Sequence, residues 1–111
     1  MKNINQKKTG LQDEHFQTAA FLAKSLSDEN RLRILLCISN EKKSVGSIVE
    51  ALGLSQPLVS HHLKELKRSL LVNIERNGPF IYYGLADPRI LEVVSMLQTV
   101  ATDLLAARTT F

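Results

Sequence analysis

The chain has 111 residues, of which 44% are hydrophobic, and its 14 Lys and Arg against 11 Asp and Glu leave a formal net charge of +3, values that fit one ordinary globular domain with a mildly basic surface. Aromatic residues make up 5% and Trp is absent, so the core must be aliphatic, which favours helices over a sheet sandwich. The single cysteine, Cys37, excludes an intramolecular disulfide or a Cys-rich zinc site within one chain and points to a reducing, cytoplasmic setting, and no run approaches ~18 continuous apolar residues, so neither a membrane span nor a signal peptide is expected.

Residues 1–12 are polar, with Lys2, Lys7 and Lys8, and read as a flexible leader to one domain over 13–107. Over 13–26, Phe16, Ala19, Ala20, Ala23 and Leu26 recur at helical steps beside His15, Gln17 and Lys24, which predicts an amphipathic first helix. Ser27 is the expected cap of a second helix, with Asp28 and Glu29 favouring its N-terminus ahead of Leu32, Leu35, Leu36 and Ile38 and an end near Ser39. Ser44 caps a third, whose Val45, Ile48, Val49 and Leu52 share one face as far as Gly53. Ser55 then caps a fourth, with Pro57 tolerated in its first turn and Val59, Leu63, Leu66 and Leu70 as its apolar stripe. Two helices joined by so short a Gly-containing turn form a helix-turn-helix.

Residues 71–76 and 80–85 are rich in β-branched and aromatic side chains around Asn77-Gly78-Pro79, the pattern of a β-hairpin. Asp87 caps and Pro88 opens a last helix. There Ile90, Leu91, Val93, Val94, Leu97, Val100, Ala101, Leu104 and Leu105 cover more than one face, so this helix should be packed on two sides. The expected fold is mainly α with a β-hairpin wing, a winged helix-turn-helix.

With Val59, Leu63, Leu66 and Leu70 turned inward at 100° per residue, the fourth helix leaves Pro57, Ser60, His61, Lys64 and Arg68 outward and Gln56 and Lys67 on the flank. A helix of this kind lies in the major groove, where Gln bonds adenine and hydroxyl or imidazole groups bond several bases, so Gln56, Ser60 and His61 are candidates for base edges. Lys64, Lys67 and Arg68 suit phosphates. The plainer reading is a solvated surface helix; the tight turn before it and the hairpin after it favour double-stranded DNA as the partner.

The stretches Ser27-Asp28-Glu29-Asn30-Arg31-Leu32-Arg33-Ile34-Leu35, Ser44-Val45-Gly46, Leu52-Gly53-Leu54-Ser55-Gln56-Pro57-Leu58-Val59-Ser60-His61-His62-Leu63-Lys64 and Tyr82-Tyr83-Gly84-Leu85 resemble the signature segments of the arsenical-resistance-repressor (ArsR) family, over about residues 13–107. The resemblance implies a homodimeric repressor that sits on a palindromic operator, is released by a signal, and is built around a dimer interface of the first and last helices. It adds Ser44 to the expected DNA contacts. Two departures stand out: Leu70 occupies a position at the end of the recognition helix where the family often has Gly, and Pro79 stands where many relatives have a basic wing residue. Arg76 is left as the wing's candidate for a phosphate or the minor groove.

The familiar metal sites of the family lack their ligands. The third helix offers Val45, Gly46, Ser47, Ile48 and Val49 where paired cysteines would stand, and the last offers Asp87 and Asp103 but Arg89 and Val100 in place of histidines. No metal or other cofactor is expected. Cys37 reads as a small buried hydrophobe, with a redox sensor as the sharper alternative, although redox-sensing relatives use two cysteines. His61 and His62 point about 100° apart and cannot jointly grip one ion, His62 being placed on a flank near the core and His15 in solvent. No acid pair, activated nucleophile or phosphate loop is present, so an enzyme is not expected. A winged helix used only for protein contacts is the competing class, and the effector is left open.

Overall fold

The computed structural model describes residues 2–108, with side chains from residue 14 onward. Its elements are α1 (Lys2–Ser25), α2 (Glu29–Cys37), α3 (Val45–Leu52), α4 (Gln56–Arg68), β1 (Val72–Asn77), β2 (Phe80–Leu85) and α5 (Arg89–Arg108). Where a leader over 1–12 is expected, α1 is helical from Lys2. The stretch contains no Pro, and its Lys and Gln residues are good helix formers, whereas periodicity registers only the stripe that begins near residue 13. The side chains of residues 2–13 lie outside the described ones.

Caps fix most helix boundaries. Ser44 accepts from the Ser47 amide and Ser55 from the Leu58 amide, opening α3 and α4 where expected, and Gly53 closes α3 in the left-handed region at φ 66°. The cap of α2 is Asp28 rather than Ser27: its carboxylate accepts from the Arg31 amide, while the Ser27 hydroxyl donates to the Lys24 carbonyl and so finishes α1. A carboxylate beside the helix dipole wins that position over a hydroxyl.

The core is aliphatic throughout. Ile34 and Leu35 from α2 with its C-cap Ile38, Ile48 from α3, Val59, Leu63 and Leu66 from α4, Leu71 and Val72 from the start of the hairpin, and Val94 from α5 are all buried. Each such side chain contributes about 1.5–3 kcal/mol of transfer free energy. Leu70 does not belong to this set. It lies beyond the C-cap Ser69 and is 74% exposed.

The two strands pair antiparallel from Val72↔Leu85 to Asn77↔Phe80. The loop is therefore Gly78-Pro79, with Gly78 at φ 63°, as the first central position of a tight II′ hairpin turn demands. Lys43 adds one rung to the other edge of β2, exchanging both backbone hydrogen bonds with Tyr83 (3.0 and 2.8 Å). The root of the hairpin is thus pinned to the segment that leads into α3.

Beyond the core, α5 buries only Val94 and half-buries Ile90 and Leu91, leaving Val93, Met96, Leu97, Val100, Leu104 and Leu105 exposed. Phe16 and Phe21 of α1 are exposed as well, at 66% and 50%. The expectation of packing on two sides is met on one side only among the described residues. By length and composition α5 would also suffice to cross a membrane, a feature that a search for continuous apolar runs passes over because Glu92, Ser95 and Gln98 interrupt it.

Candidate nucleic-acid interface

Burial divides α4 cleanly. Val59, His62, Leu63 and Leu66 are buried, and Gln56, Pro57, Ser60, His61, Lys64, Lys67 and Arg68 are exposed. A buried set at steps of three and four leaves a continuous polar face opposite. Gln56 and Pro57 occupy the first turn, where Pro57 has no amide hydrogen and the Leu58 and Val59 amides are already bonded to the Ser55 hydroxyl and carbonyl. Hydroxyl, amide and imidazole donors thus stand at the N-terminal half of the face, with cations toward its C-terminal half.

Not every cation on that face is free. Arg68 pairs with Glu65 at 3.2 Å, while among the described residues Lys64 and Lys67 have no ion-pair partner. On the hairpin, Arg76 is exposed and likewise unpaired among the described residues, and its neighbour Glu75 is held by Lys42. That pairing keeps a carboxylate near the wing tip from facing an incoming phosphate unneutralised. Ser44 is half-buried, its hydroxyl accepting from the Ser47 amide at 3.1 Å and donating to the Ser47 hydroxyl. Its side chain is therefore engaged as a cap.

Behind this face lies a polar cluster that the sequence reading misses. The His62 ring is 5% exposed; Arg31 donates from Nε toward its Nδ1 at 3.4 Å, and its Nε2 lies 3.7 Å from the Asp28 carboxylate. The Arg31 guanidinium also donates to the Ser25 carbonyl at 3.3 Å. Burial pushes the His62 imidazole below its ordinary range, with Asp28 pulling the other way, and the capping hydrogen bond from the Arg31 amide lowers Asp28. The spacing 59, 62, 63, 66 was the available signal, since it places His62 within the inward stripe rather than on its flank.

Cys37 is half-buried against the core, and its carbonyl accepts from Lys43 Nζ at 2.6 Å. His15 is exposed on α1. Asp87 caps α5 through the Arg89 amide and binds the Arg89 guanidinium, contacts that hold its carboxyl down at about 2. Among the described residues no three His, Cys, Asp or Glu side chains are grouped so as to hold a metal ion.

Comparison with known proteins places these residues in context. The family model of the bacterial regulatory proteins of the arsR family matches residues 28–73, from the cap of α2 into β1. A probable mercury resistance operon repressor of Streptomyces lividans is 34% identical over 93 residues, spanning 84% of this chain and 74% of that protein. Among solved structures, the homodimeric winged helix-turn-helix DNA-binding domain of a possible ArsR-family transcriptional regulator of Mycobacterium bovis superposes with a TM-score of 0.73 at 27% identity, over 82% of this chain and 84% of that one. HlyU of Vibrio cholerae gives a TM-score of 0.70 at 30% identity, over 78% and 94% respectively.

Proposed function

The chain belongs to the arsR family of bacterial regulatory proteins, DNA-binding transcriptional regulators and not enzymes, and from that premise we propose that it is a cytoplasmic repressor that holds a palindromic operator as a homodimer. Each subunit presents the outward face of α4 to one half-site. Gln56, Ser60 and His61 read base edges; Lys64, Lys67 and Arg68 engage phosphates, Arg68 after leaving Glu65; Arg76 reaches from the wing, and Pro57 and Ser44 lie at the margin of the contact.

The observation that carries this reading is the division of α4, whose buried side chains are three aliphatics and one histidine while every exposed side chain on the opposite face is polar, cationic or Pro57. The apolar faces of α1 and α5 support the dimer: Phe16, Phe21, Val93, Leu97, Val100 and Leu104 exposed on a monomer form a surface that a second copy would cover. That same burial gives the apolar character of α5 a use other than crossing a membrane. Release is assigned to an effector other than a soft metal at the family's third-helix or last-helix sites, because Val45, Val49 and Val100 supply no ligand there.

The test is a mobility shift with the DNA that flanks the chain's own coding region, at two salt concentrations. A discrete, salt-sensitive complex that outlasts excess nonspecific competitor is the expected result. Binding no stronger than to random duplex would leave the protein-contact module as the better reading.

A further inference from the structure

We propose that His62 is a positioning residue for DNA binding: through Arg31 and Asp28 it locks α4 to the junction of α1 and α2, and so sets the half-site spacing the dimer accepts. The inference rests on the homodimeric DNA-binding reading above and assigns a role to side chains that lie behind the outward face of α4.

The attachment of α1 is narrow. Of its described side chains, Leu22 is half-buried and Ser25 is buried, and the rest are exposed. Ser25 makes two polar ties toward α4. Its hydroxyl donates to the buried hydroxyl of Ser69, the C-cap of α4, which in turn donates to the Glu65 carbonyl at 2.9 Å. Its carbonyl accepts from Arg31, whose Nε points at Nδ1 of His62 in the middle of α4. With Nδ1 accepting, the imidazole proton sits on Nε2, the nitrogen that faces Asp28. One neutral ring therefore meets a cation on one side and a carboxylate on the other, and Asp28 is itself fixed by capping α2 at 3.1 Å.

Such a cluster is a poor source of stability, because a well-packed apolar side chain in its place is often no worse. What it supplies is register. His61 faces outward one residue before His62, their rings 5.6 Å apart, so the rotation of α4 that seats His62 between Arg31 and Asp28 also aims Ser60, His61 and Lys64. The helix on the far side of the ties, α1, carries Phe16 and Phe21 toward the partner subunit in the proposed dimer. His62 and Ser69 thus tie the α1 side of the proposed interface to the recognition helix of each subunit, beside the route through α5 and its core residue Val94, and a change of one base pair in the spacer moves the half-sites by ~3.4 Å along the duplex as well as about its axis.

The probe is a duplex selected by the wild-type protein from a random-sequence library, together with versions in which the spacer between half-sites is one base pair longer or shorter. The wild type is expected to lose roughly tenfold or more in affinity on respacing. His62→Leu, folded by circular dichroism and dimeric by sedimentation, is expected to bind the selected duplex about tenfold more weakly and to lose less than about threefold on respacing. His62→Asn, which returns an acceptor to Arg31, should recover the discrimination. Ser69→Ala cuts the second tie by one hydroxyl and should flatten the spacing preference in the same direction, which decides the matter if His62→Leu does not fold. A folded, dimeric His62→Leu with wild-type discrimination overturns the proposal, as does wild-type discrimination in Ser69→Ala when His62→Leu is unfolded. Failure of the wild type to select any two-fold site is seen without a variant and removes the dimeric reading itself.

Discussion

Leu70 carries a left-handed backbone at φ 67°, the one non-Gly residue to do so among the described residues. The amide of Leu71 reaches back to the Leu66 carbonyl and that of Leu70 to Lys67, both at 3.0 Å, which is the Schellman closure of α4 with Leu70 at the glycine position. An L side chain there costs about 1–2 kcal/mol, and at 74% exposure Leu70 recovers little of it by burial. Leu70→Gly should therefore raise the unfolding free energy by about 0.5–1 kcal/mol after the entropy of a freer unfolded chain is subtracted, read as a higher urea midpoint at unchanged slope; a lower midpoint would mean that its side chain packs in the working assembly. His62 makes a pH prediction. Burial lowers its pKa in the fold, so the folded state takes up this proton less readily than the unfolded chain. Its contribution is full above the ordinary imidazole value of ~6.5 and is lost as pH falls through the lower folded value. The thermal midpoint should fall on acidification below about pH 6.5, and the fall should shrink in His62→Asn; an equal fall in that variant would assign the effect elsewhere.

Helix by helix, what could be read in advance depended on whether a local rule decided the boundary. Ser44, Gly53 and Ser55 are legible because α3 and α4 are short, capped and separated by Gly53, Leu54 and Ser55 alone. The cap of α2 slips by one residue because Ser27 and Asp28 both qualify, and only the fold shows that the Ser27 hydroxyl is spent on Lys24. Leu70 is misplaced because extrapolating the stripe ignores the change of hand at the cap. The polar face of α4 is fully legible, since solvent exposure follows from periodicity alone, whereas the ties of Arg31 to His62 and of Ser25 to Ser69 join residues 31 and 44 apart in sequence, and no local pattern announces them. The two halves of the face should separate in binding. Gln56→Ala, Ser60→Ala or His61→Ala is expected to relax base preference by ~1–3 kcal/mol for each good contact, and Lys64→Ala to weaken all duplexes alike while reducing the salt slope by about one unit. Competition with duplexes permuted at each position checks this; sequence-dependent loss in Lys64→Ala with none in His61→Ala would invert the assignment.

Taken whole, the molecule has a closed core and a broad apolar surface exposed on α1 and α5. Ten buried aliphatic side chains hold α2, α3, α4, the hairpin and one turn of α5 together, while the greater part of α5 and the described part of α1 stay in contact with solvent. The excess apolarity of the last helix was visible in the sequence, but among the described residues one face of it stays exposed. Charging that face should separate folding from assembly: Leu97→Glu with Leu104→Glu is expected to leave the helical circular dichroism in place, shift sedimentation to a monomer, and lower operator affinity by roughly a hundredfold or more as the second half-site is lost. A double variant that remains dimeric would move the interface away from α5. The most direct measurement is a hydroxyl-radical footprint of the wild-type protein on a duplex it selects. Two protected patches related by two-fold symmetry, their centres about one helical turn (~34–36 Å) or a multiple of it apart, are the predicted result; a single asymmetric patch, or none at salt concentrations near those of a cell, would contradict it.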